Sequence, residues 1–156
     1  MISNNPTTAY KTIEKYVSDI RCAEGNHLKI GAIGFCWGGY SVTQLAHGHR
    51  AANGKRLIDA AFTAHPSRLS LPEDIEKIKL PYSVVIGDID FAMSLQKVRE
   101  MEDILSKKTG VDSEVTVIPN AKHGFAVRGN PNDQAAIEMA DQAEDLAVKW
   151  FDKYLN

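Results

Sequence analysis

With 156 residues, the chain is long enough for one domain with a hydrophobic core and too short for two ordinary ones. Its 44% hydrophobic and 24% charged residues are the balance of a soluble globular protein, and a net charge of −2 with no basic block excludes a nucleic-acid footprint. No apolar run reaches the roughly 18–20 residues that cross a bilayer, so no membrane partner is expected.

The opening Met1-Ile2-Ser3-Asn4-Asn5-Pro6 lacks the charged and apolar regions of a secretory signal. Two cysteines, Cys22 and Cys36, suit a reducing cytoplasm better than a disulfide framework. A helix is expected over Thr8 to Ile20, where Tyr10, Ile13, Tyr16, Val17 and Ile20 recur at helical spacing. A polar turn at Glu24-Gly25-Asn26 follows, then a buried strand over Leu28 to Phe35. Gly38 to Gly48 reads as a helix and Leu57 to Ala64 as a second strand built from small residues. Pro72 to Ile78 reads as a short helix with its proline near the first turn, where a missing N–H does no harm.

Pro81 to Ile86 is a third strand, closed by Gly87. Ser94 to Lys108 forms an amphipathic helix with Gly110 placed as its C-cap. Ser113 to Ile118 alternates and is β-branched, as a fourth strand should be. A polar loop from Pro119 to Asp133 leads to a last helix over Gln134 to Leu155. Strands alternating with helices imply right-handed βαβ units. The expected fold is therefore α/β, a mostly parallel sheet of about four strands flanked by helices. Ligands of such sheets gather at the carboxyl ends of the strands.

The first strand runs straight into Gly34-Phe35-Cys36-Trp37-Gly38-Gly39, and a helix follows. This is the G-x-S-x-G nucleophile turn with Cys in the serine position. Glycines two before and two after Cys36 remove side chains that would collide at such a turn. The helix directs its N-terminal amides toward the sulfur, and the Trp37 N–H is placed as an oxyanion-hole donor. A buried structural cysteine is the competing reading. A phosphate loop is disfavoured, because the glycines do not fall in G-x-G-x-x-G and no G-K-[ST] follows.

A nucleophile needs a base, and the base a third group that orients it. His123 follows the fourth strand and so reaches the same rim as Cys36, whereas His27 precedes the first strand and His47 and His49 sit near a helix end. Asp88 and Asp90 compete for the acid. Asp90, deeper in its loop, is favoured because it can reach across to the next loop.

Four stretches together resemble the dienelactone hydrolase family of α/β-hydrolases: Ile33-Gly34-Phe35-Cys36-Trp37-Gly38-Gly39, His65-Pro66-Ser67, the Gly87-x-x-Asp90 loop, and His123-Gly124-Phe125-Ala126. The resemblance implies a Cys36-Asp90-His123 triad that hydrolyses a small-molecule ester, lactone or related acyl bond without a cofactor. It makes His65 a pocket-wall candidate, against a turn histidine bound to backbone. Arg128 is a candidate for a substrate carboxylate, but it stands one place further from His123 than the family's arginine, which favours a solvated loop arginine. Phe91 and Phe125 are candidates for an aromatic pocket, against simple packing. His47 and His49, at i and i+2, are poorly spaced for a metal, and none is expected.

Family members carry several strands before the nucleophile turn, so the chain is expected to be a single domain, residues 1–156, that begins partway through the fold. The loop that supplies the second oxyanion donor would then be absent, which makes a non-catalytic small-molecule or protein-binding remnant the alternative to the enzyme. The strand Leu28 to Phe35 would also be an open apolar edge, which predicts a homodimer or another partner covering it.

Overall fold

The computed structural model describes residues 5–23 and 27–156. The start of the chain and the turn expected at Glu24-Gly25-Asn26 lie outside the described residues. In chain order the elements are α1 (Pro6–Ala23), β1 (Gly31–Phe35), α2 (Trp37–Leu45), β2 (Ala60–Ala64), α3 (Glu73–Glu76), β3 (Tyr82–Gly87), α4 (Leu95–Ser106), β4 (Ser113–Ile118), α5 (Phe125–Arg128) and α6 (Gln134–Leu155). The four strands form one parallel sheet in the order β1-β2-β3-β4, which is the expected α/β architecture.

Period-two alternation divides the core in two. Tyr82, Val84 and Ile86 of β3 face a layer made by Tyr10 of α1, Val42 and Leu45 of α2, and Val98, Met101 and Leu105 of α4. Val85 faces the other side, with Phe62, Ala64 and Ile118, and is covered by Phe125, Ala143, Ala147 and Trp150 of α5 and α6. The Tyr82 hydroxyl is the polar atom of the first layer, and it is satisfied by Thr43 Oγ1 at 2.9 Å and Thr63 Oγ1 at 3.3 Å. It thereby ties α2 to β2 and β3. Arg21, in the last turn of α1, is buried and pairs with Asp59 Oδ2 at 2.5 Å, while that same oxygen accepts the Ile30 N–H at 2.7 Å. The end of α1 is thus fastened to the starts of β1 and β2.

Among the described residues three helices have side-chain caps: Asn5 accepts the Thr7 N–H before α1, Ser94 the Lys97 N–H before α4, and Asp133 the Ala135 N–H before α6. Gly110 does not cap α4. The C-cap is Lys107, and Gly110, at φ 78°, serves the turn into β4 three residues later. β1 is shorter than expected and occupies one edge of the sheet, where Ile33 is 46% exposed. None of the described helices is long and apolar enough to cross a membrane.

At Gly87 the end of β3 lies tightly against the loop that follows β4. A Cβ there would lie 2.0 Å from the Ala121 carbonyl oxygen, and that carbonyl accepts the Ile89 N–H. The clash is with backbone, so no rotamer change relieves it. Gly87→Ala should lower stability by at least ~2 kcal/mol, at the upper end of overpacking costs, as read from urea unfolding. An unchanged midpoint would show that the two loops are not in this contact.

Candidate active site

β1 ends in a reversal that sends the chain directly into α2, and Cys36 stands at the bend with φ 51° and ψ −121°. Few non-glycine residues adopt this region, and it turns the side chain out over the sheet end. Gly34 is required here, since a Cβ would sit 2.6 Å from the Gly38 carbonyl oxygen. Gly38 is not, because a Cβ there meets nothing within 4 Å. The second crowded glycine is Gly39, whose added Cβ would lie 2.6 Å from Pro66 Cβ. The steric demand expected two places after Cys36 therefore falls three places after it.

Three loops converge on the sulfur. Cys36 Sγ lies 2.9 Å from His123 Nε2, and His123 Nδ1 lies 3.0 Å from both Asp90 carboxylate oxygens. The Asp90 side chain is fully buried and that of His123 is 7% exposed. One Asp90 oxygen also accepts the Ala92 N–H at 2.7 Å, which fixes the carboxylate within its own loop. Asp88 does not join this chain; its Oδ1 is buried without a partner among the described residues. Trp37 opens α2, where the first amides have no acceptor within the helix.

The remaining sequence candidates separate. Phe91 is 87% exposed, with its ring 4.8 Å from that of His123. Phe125 is 6% exposed and packs in the α6-side core with its ring edge-on to His65, and it also lines the cavity beside His123. His65 is not a pocket wall, being fully buried at the end of β2. Its Nδ1 accepts the Cys36 N–H at 3.2 Å. Arg128, read in the sequence as a solvated loop residue or a substrate contact, donates from Nη2 to Cys36 Sγ at 2.6 Å. It reaches the sulfur because residues 125–128 form the short helix α5, and its side chain lies across Gly124, where a Cβ would come within 2.9 Å of Nε. Four residues carry no detectable helical period, so the polar loop hid this helix.

A cavity of about 360 Å³ adjoins these groups, lined by Lys122, His123, Gly124, Arg128, Asp133 and Met139 among others. A larger apolar groove of about 610 Å³ lies between β1 and α6, along Ile33, Phe35, Val148 and Phe151, and does not include Cys36, Asp90 or His123. Cys36, His65 and His123 each bring a potential metal ligand within 4.8 Å of the others. That spread is wide for bonds of ~2.0–2.3 Å to one ion, and one nitrogen of His65 is already committed to backbone. The cluster is better suited to proton transfer than to a metal.

The sequence profile of the dienelactone hydrolase family matches residues 4–155. The hydrolase tropI of Talaromyces stipitatus is 30% identical over 151 residues, 96% of this chain and 55% of that protein. A carboxymethylenebutenolidase homolog of Xenopus tropicalis is 30% identical over 135 residues, 82% of this chain and 50% of that protein. The chain spans about half the length of these relatives. Among solved structures, the dienelactone hydrolase of Anabaena variabilis superposes with a TM-score of 0.69 at 20% identity, covering 97% of this chain and 62% of that one.

Burial and the neighbouring His123 lower the pKa of His65 from 6.5 to about 4, and burial likewise lowers that of His47. As the pH falls, the unfolded chain takes up these protons before the folded one does. Stability is therefore full above pH 6.5, falls through the window below it, and for His65 the loss is complete below about pH 4. The loss from His65 is on the order of 3 kcal/mol. Urea midpoints measured between pH 7 and 4 should fall accordingly, and His65→Asn should flatten the slope without abolishing it, since His47 remains. A flat parent profile would mean that the folded protein binds these protons as readily as the unfolded chain.

Proposed function

The chain belongs to the dienelactone hydrolase family, and on that premise we propose that it hydrolyses ester, lactone or related acyl bonds of small molecules through Cys36, His123 and Asp90. The observation that carries the reading is the unbroken line of contacts from sulfur to imidazole to carboxylate, at 2.9 Å and 3.0 Å.

In the proposed cycle His123 Nε2 takes the Cys36 thiol proton and the sulfur attacks the substrate carbonyl carbon. The oxyanion accepts the Trp37 N–H. When the tetrahedral species collapses, the carbon–oxygen bond breaks, the alcohol leaves with the proton from His123, and a thioester remains on Cys36. Water then gives a proton to His123 and attacks the thioester; the carboxylic acid departs and Cys36 regains its proton. Asp90 keeps the imidazole in the tautomer with Nε2 free to accept, and stabilises the imidazolium between the two proton transfers. Arg128 adds a cation at the sulfur and at the edge of the 360 Å³ cavity. This favours substrates that carry a carboxylate, which would draw the guanidinium onto itself and uncover the nucleophile. Phe91, exposed beside His123, offers an apolar contact for the same substrate.

The family match and the contacts to the sulfur favour this reading over a non-catalytic binding module. Cys36→Ala should lower kcat/KM on a small aryl ester by roughly 10²-fold or more. Equal turnover by variant and parent would remove the proposal. The domain is proposed to act as one unit with a second copy across the open edge of β1, where exposed N–H and C=O groups and Ile33 invite a further strand. Sedimentation at micromolar concentration should then give the mass of two chains, and the mass of one chain would remove the self-association.

A further inference from the structure

The proposed proton relay does not use His65, although this imidazole is buried against the nucleophile. The Cys36 N–H is shared between the Ala64 carbonyl oxygen at 3.3 Å and His65 Nδ1 at 3.2 Å; a backbone N–H can only donate, so a ring nitrogen that takes part is bare and the ring proton sits on Nε2. Nε2 is itself buried without a partner among the described residues. A buried donor left unpaired costs stability, so the ring as placed does not serve the fold's own hydrogen-bond needs. His65 also holds a left-handed backbone, φ 41°, as Cys36 does at φ 51°. Such conformations persist in non-glycine residues when the surroundings over-determine them.

Two residues further on, the Ser67 N–H donates to the Cys36 carbonyl oxygen at 2.9 Å. In a trans peptide the carbonyl and the N–H point in opposite directions, and the N–H on the far side of this peptide is that of Trp37. A hydrogen bond to the carbonyl both orients that peptide and polarises its N–H. Between the two, Pro66 lies so close to α2 that only glycine fits at position 39. The turn therefore grips Cys36 by its N–H and by its C=O at once.

We propose that the His65-Pro66-Ser67 turn is the positioning device of the site: His65 Nδ1 holds the residue that carries the sulfur, and the Ser67 N–H holds the peptide that supplies the oxyanion donor. This deepens the hydrolase reading and rests on it for the roles of Cys36 and Trp37, but the geometry it asserts is measurable without turnover. Released from His65, the bend relaxes and the sulfur leaves His123 and Arg128, the two groups that make it reactive.

Three measurements test it. In the parent at neutral pH, nitrogen NMR of labelled histidine should show His65 bare at Nδ1 and protonated at Nε2; the opposite tautomer would overturn the proposal whatever the variants do. Iodoacetamide should label Cys36 at least tenfold more slowly in His65→Ala, with the exposed Cys22 as internal reference. It should label His65→Asn within about threefold of the parent, because the Asn side-chain oxygen can stand where Nδ1 stood and Asn tolerates a positive φ. On an aryl ester, His65→Ala should lower kcat with KM little changed, and His65→Asn should restore most of it. A folded His65→Ala that labels at the parent's rate overturns the proposal. Failure of the hydrolase reading shows separately, as equal ester turnover by Cys36→Ala and the parent.

Discussion

The site depends on a single strained residue, Cys36, held in the left-handed region where a strand becomes a helix without an intervening loop. That conformation aims the sulfur away from the sheet and leaves the first amides of α2 beside it. It also sets the composition around it. Gly34 must lack a side chain because the Gly38 carbonyl oxygen occupies its Cβ position, and Gly39 must lack one because Pro66 does. An L-residue with this backbone is costly by itself, so neighbouring strands have to hold it. The bonds from Cys36 to Ala64, His65 and Ser67 all come from the end of β2 and the turn that follows it.

Much of this was legible in the sequence because it is local. The strand, the glycine pattern and the helix of the nucleophile turn are contiguous. β4 and α6 occur with the bounds their patterns suggested, since alternation over Ser113 to Ile118 and a long amphipathic run over Gln134 to Leu155 are strong periodic signals. Cys36, Asp90 and His123 follow β1, β3 and β4, and their arrival at one rim follows from parallel βαβ topology.

What was not legible depends on packing between segments far apart in the chain. His65 was open between a pocket wall and a turn histidine bound to backbone, and choosing requires knowing that its ring lies beneath Cys36, 29 positions away. Phe125 is open between an aromatic pocket and simple packing, and a single turn of helix gives it both, with its ring in the α6-side core and part of it lining the cavity beside His123. The same turn carries Arg128 onto the sulfur. Gly110 was misread for a related reason: a glycine with positive φ marks a reversal, but whether the helix ends at it or three residues earlier is set by how β4 begins.

The parallel register explains why the three loops meet with so little adjustable chain. Phe35 pairs with Ala64, Ala64 with Val85, and Val85 with Thr116, so the strand ends are level to within about two residues. Each neighbouring pair is then locked just beyond its last rung. Cys36 is bound by His65; the His65 N–H donates to Val85 at 2.7 Å; and Asp88 and Ile89 donate to Ile118 and Ala121 across the Gly87 contact. Asp90 and His123 are therefore placed by the same backbone ladder that builds the sheet, continued one or two residues past its end. Arg128 is the exception. It reaches the sulfur from the exposed end of a single-turn helix through a long flexible side chain, outside that ladder. Of the groups in contact with the sulfur, it is the one that can move without disturbing the sheet.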